Sequence, residues 1–168
     1  MAKRILLVDD DRSIRESLGK ILRAEDYEIV LAENGPEAIE KHGAERVDLL
    51  ILDVNPDASG VKNGWATLVW LAEINPLLPV VIITGRSNQR ALAETAGADA
   101  LMEKPLDVPL LLQTIGELLT EPMERRARRA NNRVSRFRYV PCDNELFREM
   151  LLKRHDTPYP FPASQDTG

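Results

Sequence analysis

"LLVDDDRS", residues 6–13, runs a short apolar strand directly into three consecutive aspartates. Folding alone gives no reason to crowd like charges at a strand end. Two unit charges about 5 Å apart repel by roughly 3 kcal/mol at an effective dielectric near 20. Asp9, Asp10 and Asp11 therefore call for a compensating cation, and the question is what the rest of the chain brings to them.

Apolar runs and helical patterns alternate from this point to residue 119. "RILLV" (4–8) reads as a strand, and "RSIRESLGKILRAE" places Ile14, Leu18, Ile21 and Leu22 at helical spacing. "YEIVLA" is a second strand, and "GPEAIEKHG" a helix with Pro36 near its start. "VDLLILDV" (47–54) is apolar throughout its middle, as suits a parallel strand covered on both faces. The pattern repeats as helix "GWATLVWLAEIN", strand "LPVVIITG", helix "NQRALAETAG", strand "DALMEKP" and helix "DVPLLLQTIGELL". Asp107 is placed to cap the last helix, with Pro109 in its first turn. Five β–α repeats predict a doubly wound α/β fold with a five-stranded parallel sheet. In such sheets ligands bind beyond the carboxyl ends of the strands. That rule selects Asp9–Asp11, Asp53, Thr84 and Lys104, each just after an apolar run.

Bulk properties narrow the class. The 168 residues are 43% hydrophobic and 29% charged, which is globular. A single cysteine, Cys142, excludes an internal disulfide and fits a reducing compartment. The longest apolar run, "LLPVVIIT", is too short to span a bilayer, and the N-terminal apolar patch is too short for a signal peptide. The expected location is the cytoplasm, with no membrane partner. Charge divides the chain: residues 1–119 hold 12 basic and 20 acidic side chains, residues 120–168 hold 10 and 7. The expected organisation is a domain over 1–119 and an arginine-rich extension over 120–168.

If the first and third strands are neighbours, the carboxylates of Asp9, Asp10 and Asp53 converge. Oxygen ligands of this kind suit Mg²⁺. Asp53, at the end of a buried strand, is the natural nucleophile for an acyl phosphate. Thr84 can hydrogen-bond a phosphoryl oxygen, and Lys104 can pair with another.

"ILLVDDD", "LLILDV", "VVIITG" and "ALMEKPLD", in that order, resemble the receiver domain of two-component response regulators over residues 3–119. The resemblance implies a flavodoxin-like, CheY-like sheet in the order 2-1-3-4-5. It implies that Asp53 accepts phosphate from a sensor histidine kinase or phosphotransfer protein. It also implies that Mg²⁺ is held by Asp9, Asp10, Asp53 and the backbone carbonyl of Asn55. Thr84 and Lys104 take the switch and phosphate-pairing roles, while Asp11 begins the next helix. On this reading the protein is a phosphoacceptor that assists its own phosphorylation and dephosphorylation, and not an enzyme in the ordinary sense. The family often has a cis peptide before the proline that here is Pro105.

Three features depart from the family. Pro56 comes one position early after Asp53, and if Gly64 is the family glycine the loop between them is about three residues longer. Leu101 stands where the family often has an aromatic residue that swings inward on activation. Asn55 and Arg86 occupy positions that, by resemblance, tune hydrolysis of the acyl phosphate. For the remaining candidates the plain readings prevail: His42 and His155 as solvated side chains, Trp65 and Trp70 as core packing.

The tail carries Arg125, Arg126, Arg128, Arg129, Arg133, Arg136 and Arg138, followed by a short amphipathic helix over about 143–154 and a proline-rich end. No output domain or helix-turn-helix is recognisable. The arginine run reads either as a solvated extension of the fifth helix or as a surface for an acidic partner or nucleic acid. Nucleic acid is disfavoured because only Phe137 and Tyr139 interleave it. The apolar side of the 143–154 segment leaves self-packing or a homodimer open. Three functions compete: a stand-alone receiver acting through protein contacts on an unidentified target, a DNA-binding regulator using its basic tail, and a pseudo-receiver scaffold. A haloacid-dehalogenase-type phosphatase fits the spacing of Asp9 and Asp11 but not the rest.

Overall fold

The computed structural model describes residues 1–55, 64–132 and 137–141. Its sheet contains β1 (Arg4–Val8), β2 (Glu28–Ala32), β3 (Leu49–Val54), β4 (Val80–Thr84), β5 (Ala100–Glu103) and β6 (Arg138–Val140). The helices are α1 (Arg12–Ala24), α2 (Gly35–Ala44), α3 (Gly64–Ile74), α4 (Arg90–Thr95), α5 (Val108–Thr120) and α6 (Met123–Asn132). All strand pairs are parallel, in the order β2-β1-β3-β4-β5-β6. The expected order of the first five strands holds. The expected count of five does not: β6, drawn from the arginine-rich tail, extends the sheet beyond β5.

Strand alternation splits the core into two layers. Ile5, Leu7, Leu49, Ile51, Val81, Ile83 and Met102 face a layer completed by Leu18 and Leu22 of α1 and Leu111 and Ile115 of α5. Leu6, Val8, Leu50, Leu52, Val80, Ile82 and Leu101 face the opposite layer, completed by Ala38, Leu68, Leu71 and Ala93 of α2, α3 and α4. Both faces of the central strands are dry, which is why "LLILDV" has no polar alternation until Asp53.

Helix starts follow the local chemistry. Asp11 caps α1, its carboxylate accepting from Ser13 N at 2.8 Å and Ile14 N at 3.2 Å. Asn34 caps α2, and Asp107 caps α5 by accepting from Leu110 N at 2.9 Å. Asp11 is thus committed to the helix and not to the carboxylate cluster, as expected. Pro122 separates α5 from α6, so Arg125, Arg126, Arg128 and Arg129 lie on a distinct helix and not on a continuation of α5, Arg138 lies in β6, and Arg133 and Arg136 fall outside the described residues. The 143–154 segment and the loop over 56–63 lie outside the described residues, as do Cys142 and His155.

Two side chains differ from expectation. Trp70 is 41% exposed, because α3 is apolar on nearly every side and only part of it fits against the sheet. His42 is half-buried, its Nε2 lying 3.4 Å from Asn75 Nδ2, and burial lowers its pKa.

Candidate functional site

The carboxyl ends of β1, β3 and β5 deliver the expected residues to one place. Asp9, Asp10 and Asp53 each offer a carboxylate oxygen within 4.8 Å of the others. Asp9 is 2% exposed, Asp53 partly buried and Asp10 solvent-facing. Lys104 reaches in from the end of β5, its Nζ 3.2 Å from Asp53 Oδ1 and 3.7 Å from Asp9 Oδ2. A small cleft of about 20 Å³ lies beside them, lined also by Asn55, Asn34 and Gly64. That is room for a water-sized occupant.

Several backbone contacts hold this arrangement. Asp11 N donates to Asp9 Oδ1 at 2.8 Å, fixing the first carboxylate. Arg15, one turn into α1, donates to the Asp9 carbonyl at 2.5 Å. The sequence reading missed this role for Arg15, since its only signal was a basic residue facing back along the first turn. Thr84 is fully buried at the end of β4, in register with Val54 on one side and Glu103 on the other. Its Oγ1 accepts from Arg86 N at 3.1 Å, and its carbonyl accepts from Lys104 N at 2.8 Å. Thr84 and Lys104 are therefore tied to each other through the β4–β5 ladder. The Lys104–Pro105 peptide is cis.

Burial dominates the electrostatics. It pushes the Asp53 carboxyl up to about 6, with Lys104 pulling the other way and Asp9 and Asp10 adding repulsion. Asp9 is raised for the same first reason, again opposed by Lys104. Among the described residues, one ammonium thus only partly offsets three carboxylates. The set is hard and oxygen-rich, which fits a divalent ion.

Gly64 opens α3 directly against this site. A Cβ there would lie 2.8 Å from Val54 Cγ1 and 2.9 Å from the Asp53 carbonyl oxygen. Gly64→Ala is accordingly expected to cost about 1–3 kcal/mol through overpacking. A thermal melt should show a drop of several degrees, and an unchanged midpoint would contradict this close approach.

The tail also meets the site's flank. Tyr139 is in register with Leu101, and its hydroxyl donates to Glu103 Oε1 at 2.5 Å. Arg90 at the start of α4 lies 5.6 Å from the centre of the Tyr139 ring. Arg138 donates to Thr114 Oγ1 at 2.8 Å and Glu117 Oε2 at 2.5 Å on α5. Arg126 donates to the Leu118 carbonyl at 2.6 Å. Among the described side chains of the basic run, Arg126 and Arg138 thus fasten the tail to the domain, whereas Arg125 and Arg128 face solvent. Among the described residues, no helix is long and apolar enough to cross a membrane.

Comparison with known proteins agrees with this geometry. Residues 5–116 match the family model described as the response regulator receiver domain. The response regulator MprA of Mycobacterium ulcerans (strain Agy99) is 37% identical over 122 residues, covering 71% of this chain and 51% of that protein. The chain therefore spans about half the length of that curated relative. Among solved structures, a CheY-like receiver domain protein from Methanospirillum hungatei JF-1 is 29% identical with a TM-score of 0.66, covering 76% of this chain and 98% of that one. The response regulator TrrA of Thermotoga maritima, solved in complex with Mg²⁺-BeF, is 34% identical with a TM-score of 0.63, covering 69% and 98%. With the sheet order, the strand-end carboxylates and these matches in agreement, the chain belongs to the response regulator receiver domain family of two-component systems.

Proposed function

We propose that this chain is a Mg²⁺-dependent phosphoacceptor, taking a phosphoryl group onto Asp53 from a sensor histidine kinase or phosphotransfer protein in the cytoplasm and signalling through protein contacts. One observation carries the reading: three carboxylates gather within 4.8 Å while Lys104 lies 3.2 Å from Asp53. In the transfer, an Asp53 oxygen bonds to phosphorus as the donor's N–P bond breaks, and the electron pair leaves with the imidazole. Asp9, Asp10, Asp53 and the Asn55 carbonyl would hold the metal, which when bound offsets charge on the phosphoryl group. Lys104 pairs with a phosphoryl oxygen as a compact cation, and Thr84 donates its hydroxyl to another. Arg15 and the Asp11 amide keep Asp9 in place without touching the phosphoryl group. The protein would assist this transfer and its reversal on itself, and not turn over a separate substrate.

The test uses the full chain with acetyl phosphate and Mg²⁺. Intact mass is expected to rise by one phosphoryl group, and the rise to vanish when EDTA removes the metal. No rise with Mg²⁺, or the same rise in EDTA, would refute the proposal.

A further inference from the structure

We infer that β6 is a displaceable edge strand whose docking on β5 opposes phosphorylation of Asp53 and is loosened by it; the inference rests on the phosphoacceptor reading above. Strand β6 is only three residues long and sits at the sheet edge. A ladder that short is marginal without side-chain anchors. Its anchors come from both helical layers. Arg138 fastens it to α5 through Thr114 and Glu117, while Tyr139 lies under Arg90 of α4.

A further anchor leads back to the acceptor. Tyr139 Oη donates to Glu103, a carboxylate only 2% exposed. Glu103 is the register partner of Thr84 and the chain neighbour of Lys104. Lys104 N is bonded to the Thr84 carbonyl, so Glu103 is framed by two residues that serve the acceptor. A phosphoryl group on Asp53 adds charged oxygens beside an ammonium that already lies 3.2 Å from Asp53 Oδ1. Lys104 and Thr84 re-aim toward those oxygens, and the peptide between residues 103 and 104 carries the change to Glu103. A buried carboxylate that loses a donor has less to offset its own desolvation. The docked strand therefore fits the unmodified acceptor better than the phosphorylated one. When it leaves, the backbone edge of β5 at residues 100–102 is left unpaired.

Linkage makes the coupling reciprocal: whatever holds β6 down weakens binding of a phosphoryl mimic at Asp53 by the same factor. Hydrogen exchange at the amides of Arg138–Val140 in the full chain tests it. Intact mass of the same samples records the extent of phosphorylation. Phosphorylation with acetyl phosphate and Mg²⁺ is expected to speed that exchange about fivefold or more, the lower end of ordinary coupling. Tyr139→Phe keeps the ring and removes the hydroxyl. It should exchange fast in both states and bind beryllofluoride with Mg²⁺ more tightly by a comparable factor. Glu103→Gln should act in the same direction. A full mass gain with unchanged β6 exchange, or a Tyr139→Phe affinity equal to the parent's, overturns the inference alone. Absence of any mass gain overturns the phosphoacceptor reading and the inference with it.

Discussion

Asp53→Asn is expected to take up no phosphoryl group and, in metal-free buffer at neutral pH, to melt higher than the parent protein. Both effects come from one carboxylate held where charge is unwelcome. The Asp53 carboxyl titrates near 6 in the folded protein because burial disfavours its ionised form. In the unfolded chain an aspartate titrates near 3.9. Below about pH 4 both states carry the proton, and the folded protein suffers no penalty. Between about 4 and 6 the unfolded chain has lost its proton while the folded one has kept it. Stability therefore falls as pH rises through this window, by about 3 kcal/mol for a shift of roughly two units at about 1.4 kcal/mol each. Above the window the loss is complete.

Asparagine keeps the shape and removes the titration. It also removes one partner of Lys104, which retains Asp9 at 3.7 Å. The net gain at pH 7.5 is expected to be about 1–3 kcal/mol, or several degrees in the melting midpoint. The gap between variant and parent should narrow at pH 4 and open by pH 7, and the difference between the two proteins cancels the titrating groups that do not interact with Asp53. Mg²⁺ should close the gap from the parent's side, raising the parent's midpoint more than the variant's. Two results would break the argument: an Asp53→Asn variant that melts lower than the parent at pH 7.5, or one that still gains phosphoryl mass.

The sequence exposed the parts of this site that depend on strand ends. Once "LLILDV" is read as a strand covered on both faces, its terminal aspartate must emerge at the sheet edge where Asp9 and Asp10 emerge. The parallel connection of β1 to β3 then brings them together. The helix cap Asp107 was equally legible, because capping is a local interaction, while Asp11 was placed at the start of α1 by the family resemblance. Strand β6 was not legible. "FRYV" lies at the end of an arginine run, and nothing in three residues announces pairing with a strand more than 30 positions earlier. That pairing depends on β5 having an open edge, which is a property of the assembled sheet. Arg126 and Arg138 were hidden for the same reason: a guanidinium committed to a carbonyl or a distant carboxylate looks, in sequence, like one facing solvent. Trp70 shows the opposite limit. A helix apolar all round carries no signal for which side meets the sheet, so its outward tryptophan passed for core.

Lys104→Met separates the two tasks assigned to the lysine, because it is expected to move metal affinity and phosphoryl uptake in opposite directions. The ammonium lies 3.2 Å from Asp53 and 3.7 Å from Asp9, and its side chain is only 22% exposed. Methionine fills a similar volume without charge. In metal-free buffer the three carboxylates then face one another without this ammonium, and Asp53 is pushed further above its usual range, since Lys104 is the leading influence pulling it down. Stability at pH 7.5 should fall by about 1–3 kcal/mol, less than for a fully buried pair because the cluster can take up a proton and borders solvent. A divalent cation and an ammonium compete for the same oxygens, so Mg²⁺ affinity should rise by about tenfold, corresponding to roughly 1.4 kcal/mol of removed repulsion. Phosphoryl uptake from acetyl phosphate should nonetheless fall by about tenfold or more, because the charge that pairs with the added oxygens is gone. Calorimetric Mg²⁺ titration and intact mass on the same preparation read both effects. A variant that loses metal affinity together with uptake would make Lys104 a prop for the carboxylate cluster and not a partner of the phosphoryl group. A variant that gains metal affinity and keeps full uptake would remove the lysine from the transfer altogether.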